Sequence, residues 1–225
     1  MGMMPYVSPE QLMKDRAEFA QKGISRGRSV VALSYRDGML FVAANPSTSL
    51  HKVSEIYDHV AFAAVGRYNE FEQLRVAGIR MADVKGYQYA RADVTGRSLA
   101  NAYASFLGAG FTEGSKPFEV ELLVAEVNGA GVELYHVRYD GFIIDEDRHV
   151  AIGGSAEAIN NQLAEHHDPD ADLDAALRTA RDALAANEDR ELGASQLEVA
   201  GLDRTRGRRT FFRLPSERVS AALEG

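Results

Sequence analysis

Residues 29–35, Ser-Val-Val-Ala-Leu-Ser-Tyr, read as a strand with no wet face. Val30 and Ala32 point to one side and Val31 and Leu33 to the other, and each of these residues is apolar. A strand buried on both faces needs a layer against each face, so the chain must fold as a stack rather than as a sheet open to solvent. Met39–Ala44 is a second strand rich in large apolar residues, and Asp37-Gly38 before it is a hairpin signal.

The elements around this hairpin follow from local signals. Ser8 caps a helix over 9–22, with Pro9 at the first helical position, Gln11 as capping-box partner and Gly23 just past the end. Met13, Ala17, Ala20 and Ile24 give it an apolar stripe. A short segment at Leu50–Val53 leads to a strand at His59–Val65, closed by Gly66. Asn69 caps a helix running to Asp83, and Thr95 opens another whose stripe is Leu99, Ala102, Tyr103, Phe106 and Leu107. Strands follow at Phe118–Val127 and Val132–Tyr139, joined by Asn128-Gly129-Ala130-Gly131, and then at His149–Ile152. Helices at Ala156–Glu165 and Leu173–Ala186, strands at Gln196–Leu202 and Thr210–Leu214, and a helical turn at Ser216–Leu223 complete the chain. Segregated runs of helices and strands are the mark of an α+β fold. No Pro/Gly/Ser-rich linker divides residues 1–225, so they form a single domain, with residues 1–7 aperiodic and frayed.

Composition excludes several function classes. The chain has no cysteine, which rules out disulfides, thiolate metal sites and a cysteine nucleophile. Its formal net charge of −8 argues against nucleic acid as a partner, because phosphate binding needs a basic face. No apolar run approaches the roughly 18 residues of a membrane span, and the N-terminus lacks the charged and apolar regions of a signal peptide. Tyr6 stands where myristoylation needs Ser or Thr. The expectation is a cytoplasmic, acidic protein with no membrane partner and no cofactor.

The motifs that resemble chemical sites have ordinary explanations. Gly108-Ala109-Gly110 begins a dinucleotide-type pattern, but Glu113 occupies the third glycine position and the stretch follows a helix. Asp168, Asp170 and Asp172 resemble a calcium loop, yet Leu173 replaces its glycine and Thr179 its closing glutamate, so these acids read as helix-end partners. His166 and His167 beside them read as part of the same solvated helix end. Arg204, Arg206, Arg208, Arg209 and Arg213 form one basic cluster, read as a solvated turn and strand edge, with an acidic partner subunit as the alternative. No nucleophile elbow, zinc-protease motif or phosphate loop occurs.

Several stretches, taken together, resemble the proteasome α subunits of actinobacteria. They are Ser8-Pro9-Glu10-Gln11, Gly27-Arg28-Ser29-Val30-Val31, Asn45-Pro46-Ser47, the runs Tyr57–Arg75, Asp93–Ala104 and Lys116–Val127, and Tyr139-Asp140-Gly141. Ala90 and Ala92 depart from more usual polar residues and Phe142 from a small one. The resemblance implies a four-layer αββα sandwich of the N-terminal nucleophile hydrolase type, with an extra N-terminal helix. It also implies a homo-heptameric ring of α subunits that caps rings of proteolytic β subunits, gates substrate access and templates assembly. The family further implies a ring ATPase that docks through its C-terminus and delivers proteins tagged with Pup.

By the same resemblance this chain is non-catalytic. The β subunits use an N-terminal threonine, whereas here the first strand opens with Arg28-Ser29 inside the chain, and Asn45 stands where they keep an aspartate. Lys52 matches the family lysine that faces a pocket between neighbours and holds the ATPase's terminal carboxylate. Gly66 there allows close backbone approach, and Arg67 adds charge. Met4, Pro5, Tyr6, Val7 and Ser8 are the expected gate. The competing readings are a hydrolase activated by self-cleavage before Ser29 and a scaffold ring without β partners.

Overall fold

The computed structural model describes residues 8–129, 131–186 and 192–224. The elements in chain order are α1 (Pro9–Ile24), β1 (Val30–Tyr35), β2 (Gly38–Ala44), β3 (Val53–Tyr57), β4 (Val60–Gly66), α2 (Tyr68–Gln88), α3 (Gly96–Glu113), β5 (Val120–Asn128) and β6 (Gly131–Val137). They continue with β7 (Ile143–Glu146), β8 (His149–Ile152), α4 (Ala156–His166), α5 (Leu173–Ala185), β9 (Leu197–Asp203), β10 (Phe211–Arg213) and α6 (Ser216–Glu224).

The strands form two five-stranded antiparallel sheets, in the orders β10-β9-β2-β1-β8 and β3-β4-β5-β6-β7. Alternation along β1 assigns its residues to layers as the sequence reading expects. Val30 and Ala32 enter the core between the sheets, with Phe41, Leu123 and Ala125. Val31 and Leu33 enter a second core beneath α4, α5 and α6, with Ile159, Leu177 and Val219. A third core joins the other sheet to α2 and α3 through Phe62, Leu74, Leu99 and Leu107. Helices on both outer faces make this an αββα sandwich, and Ala20 and Ile24 of α1 join the central core.

Several local expectations are corrected. The β1–β2 register pairs Tyr35 with Gly38, so the turn is Arg36-Asp37, and Gly38 belongs to β2. Gly38 is small for another reason: a Cβ there would run into the Leu202 carbonyl of β9. Gly23 lies inside α1, which continues to Ile24 with Ser25 as its C-cap. The helix expected from Asn69 begins at Tyr68, with Arg67 at the cap position, and extends past Asp83 to Gln88. The short segment Leu50–Val53 leads into a strand that the sequence reading lacks, β3, which starts at Val53 and carries a bulge between Glu55 and Tyr57. The strand β7 has no counterpart in the sequence reading, because Ile143–Glu146 is short and half acidic.

One position on the outer edge of β8 is closed by a side chain. The Ala151 N–H donates to Asn160 Oδ1 at 2.7 Å, and Asn160 Nδ2 donates to the Ala151 carbonyl at 3.2 Å. An amide on α4 thus takes the hydrogen bonds a further strand would take.

Candidate functional site

One end of the sandwich gathers the start of β1, the loop before β3 and the end of β4. The loop 45–52 is built around Glu198, a buried carboxylate on β9. Its Oε2 accepts from Asn45 Nδ2 at 2.7 Å and from the Lys52 N–H at 2.8 Å. Its Oε1 accepts from the Val53 N–H at 3.2 Å and from Arg213 Nη1 at 2.5 Å, and His51 Nδ1 lies 3.3 Å away. A buried carboxylate is tolerable only when its lone pairs are filled, and here donors from the loop and from β10 fill them. Asn45 also donates to the Leu50 carbonyl at 2.7 Å, and Ser47 Oγ accepts from the Leu50 N–H at 3.0 Å. The Pro46-Ser47 turn is thereby locked, and Lys52 leaves it in a fixed direction.

Lys52 points back to the start of β1. Its half-buried ammonium donates to the Arg28 carbonyl at 2.5 Å, while its own carbonyl accepts from the Ala64 N–H of β4 at 3.0 Å. Gly66 follows on β4 with φ 105°, a left-handed conformation that suits glycine. A Cβ there would run into the Glu119 carbonyl, and the backbone of Gly27 passes beside the Gly66 nitrogen. Arg67 closes the group: its N–H donates to the Glu119 carbonyl at 3.0 Å and its Nη1 to Glu119 Oε2 at 3.0 Å. Lys52, Gly66 and Arg67 therefore share one end of the molecule, with Gly27 and Arg28 between them.

Glu119 connects this end to α1. Its carboxylate lies against Gly23, where a Cβ would overlap it. Lys116 bridges Glu119 at 2.8 Å and Glu70 at 2.6 Å, and its ammonium stands 5.6 Å from the Phe19 ring of α1. Burial alone would raise the Glu119 pKa, but Lys116 and Arg67 outweigh it and hold the carboxyl below its usual range. Arg16 of α1 reaches the C-terminal end of α3, donating to the Phe111 carbonyl at 2.7 Å and to the Gly114 carbonyl. A cation on orphan helix-end carbonyls is favourable both as hydrogen bond and against the helix dipole.

Met4, Pro5, Tyr6 and Val7 lie outside the described residues. Ser8 is the N-cap of α1, its Oγ accepting from the Gln11 N–H at 3.2 Å. Glu198, Glu119 and Arg16 are absent from the sequence reading. Glu198 left one trace, an acid at an inward position of the apolar run Leu197–Leu202.

The other motifs have structural duties. Asp172 caps α5 through the Ala175 N–H at 2.8 Å, and Asp168 accepts from the Asp170 N–H at 2.9 Å. His167 Nε2 stands 2.8 Å from the Ser34 carbonyl. Within the arginine cluster, Arg213 serves Glu198, and Arg209 grips Glu55 at 2.5–3.0 Å.

Among the described residues no helix is long and apolar enough to cross a membrane. A family model described as "Proteasome subunit" matches residues 24–202. A protein named "Proteasome subunit alpha" from Acidothermus cellulolyticus is 59% identical over 225 residues, covering 97% of this chain and 96% of its own length. Its namesake from Saccharopolyspora erythraea is 56% identical over 227 residues, covering 99% of this chain and 89% of its own length. That from Thermobifida fusca is 55% identical over 228 residues, with 100% and 92% covered. The αββα layering and these matches over nearly the whole length lead to one conclusion: the chain belongs to the proteasome subunit family, and its likeness is to the α subunits of actinobacteria.

Proposed function

We propose that the chain is a non-catalytic α-ring subunit of a bacterial proteasome core particle, acting as gate, assembly template and docking platform. The observation that carries this reading is the start of β1. Ser29 is buried, and its nitrogen is the amide of a peptide bond to Arg28 rather than a free amine. The β mechanism needs a free α-amine as base beside its nucleophile, and here α1 and the residues after it precede β1 in the same chain. Asn45, at the position of the β-subunit aspartate, is held as a donor to Glu198 in a loop-building role.

In this reading copies of the chain form a heptameric ring, with α2 toward the β ring and α1 at the outer end between neighbours. Residues 4–8 are the gate that restricts access. Lys52, with Gly66 and Arg67, receives the C-terminal carboxylate of a ring ATPase that delivers Pup-tagged proteins. A half-buried ammonium beside half-buried glycine backbone suits a terminal carboxylate.

A second reading draws on one contact. Lys52 polarises the carbonyl of the bond before Ser29, as self-cleavage at that bond would require. Intact mass of the purified chain separates the two. A full-length mass with no hydrolysis of a fluorogenic peptide supports the α-ring reading. A fragment starting at Ser29 with inhibitor-titratable peptidase activity overturns it.

A further inference from the structure

The arginine-rich loop and the most acidic strand lie on opposite flanks of the sandwich. β10 and β3 end the two sheets on one flank, and β8 and β7 end them on the other. On the first flank the loop between β9 and β10 exposes Arg204, Arg206 and Arg208. The Arg204 guanidinium donates to the Arg36 carbonyl at 3.2 Å, and Arg206 lies over the Phe212 ring at 5.6 Å. Arg208 has a side chain 75% exposed and stands 3.7 Å from Asp58, an acid already gripped by Arg91 at 2.6 and 2.8 Å. This loop carries more guanidinium than the carboxylates around it neutralise.

The second flank has the opposite imbalance. Asp145, Glu146 and Asp147 follow one another at the end of β7, and Glu157 of α4 lines the same cleft as Glu146 and Glu121. The bases nearby are His136 between Glu121 and Glu146, Arg138 in the same cleft with Asp140 at 4.0 Å, His149, Arg97 on the Tyr135 hydroxyl one strand from Asp145, and Arg148 at 3.7 Å from Asp147. The Asp147 side chain is 95% exposed. Both patches also sit at the same height. The Arg204 N–H donates to the Asp37 carbonyl at 2.9 Å, and the Ser34 N–H to the Arg148 carbonyl at 2.8 Å, which places both beside the β1–β2 turn.

We propose that the Arg204–Arg208 loop of one copy seats against the Asp145–Asp147 edge of the next, head to tail, as the lateral contact between copies. The proposal rests on the ring reading above and assigns it two faces. A contact between two different patches repeats from copy to copy and closes where the rotation allows, unlike a self-complementary pair. Opposite charge on such faces sets register and speeds encounter more than it adds affinity.

The test compares three variants of the full chain, each co-expressed with a proteasome β subunit and weighed by native mass spectrometry. Arg206→Glu/Arg208→Glu and Asp145→Arg/Asp147→Arg are each expected to deplete rings at least about tenfold, while the chain carrying all four changes regains them. Rings at wild-type yield in either reversal, or a fourfold variant no better than its parents, would overturn the assignment of faces. A second measurement uses the wild-type chain, whose assembly is expected to slow about tenfold between low and high salt. A salt-independent rate also counts against these faces. Wild-type chain that makes no ring in any of these conditions would overturn the ring reading itself.

Discussion

The Glu198 carboxylate accepts the backbone N–H of Lys52 at 2.8 Å across 146 residues of sequence. An acid on β9 thus sets the position of the lysine proposed to hold the ATPase. Glu198→Ala would leave Asn45 and the Lys52 and Val53 N–H groups short of an acceptor in a buried site, and would remove the carboxylate that Arg213 pairs with. We expect a loss of about 3–5 kcal/mol in unfolding free energy, read from urea denaturation. Glu198→Gln keeps the shape and part of the bonding and should lose less. Equal stability of all three proteins would show that the loop is held by other contacts.

Lys52→Ala should leave ring formation and small-peptide hydrolysis by αβ particles intact, and abolish ATPase-dependent degradation of tagged protein. A terminal carboxylate that loses its half-buried ammonium costs about 2–5 kcal/mol per pocket, and repetition around a ring multiplies the effect. Lys52→Glu should be worse. Arg67→Ala should do less, because its side chain is 54% exposed and its attraction is screened. Binding of an ATPase C-terminal peptide with the same affinity to wild type and Lys52→Ala would end the docking assignment.

Deleting residues 1–7 should raise peptide hydrolysis by assembled particles without changing the inhibitor profile of the β sites. The motivation is their lack of periodicity ahead of a well-capped helix. Matching rates for full-length and shortened particles would argue against a closed resting gate.

Gly66→Ala should destabilise the fold by about 2 kcal/mol or more, since it combines a φ of 105° with a Cβ aimed at a backbone carbonyl. Thermal unfolding should show this as a Tm lowered by about 4–8 °C. An unchanged Tm would mean that β4 and Glu119 can separate freely.

His136 stands 3.5 Å from Glu121 and 3.6 Å from Glu146. Burial alone would lower its pKa, but the two carboxylates outweigh it and raise it above the ordinary 6.5. A raised folded pKa adds stability that is complete below the unfolded value and is lost as pH climbs through the folded one. Urea midpoints should therefore fall as pH rises above about 6.5, and His136→Gln should flatten that dependence. Parallel curves for the two proteins would assign the slope to other groups.

Much of the layering was legible because β1 encodes it: two alternating apolar faces require two cores, and both exist. Ser8, Pro9 and Thr95 were readable because caps act within three or four residues. Gly38 and Gly23 misled because their smallness answers to Leu202 and Glu119, residues far along the chain. Asn69 misled because Arg67, tied to the Glu119 carbonyl, starts α2 two residues earlier without a capping side chain. β7 was missed because its apolar part, Ile143-Ile144, is two residues long and shows no alternation before Asp145 and Glu146. At the candidate site the proposed contact residues came from family likeness, whereas the groups that position them, Glu198, Glu119 and Arg16, act over separations that no local pattern reports.

The amide of Asn160 on the rim of β8 decides what kind of neighbour that flank can accept. An exposed strand rim invites another chain to extend the sheet without limit, the route by which β proteins grow into fibres. With the Ala151 N–H and carbonyl both taken, an incoming backbone finds the ladder interrupted there. Growth on this flank is left to side chains, whose fit fixes an angle between neighbours. Asn160→Ala should therefore surface first as insoluble, sheet-rich material rather than as a weakened fold.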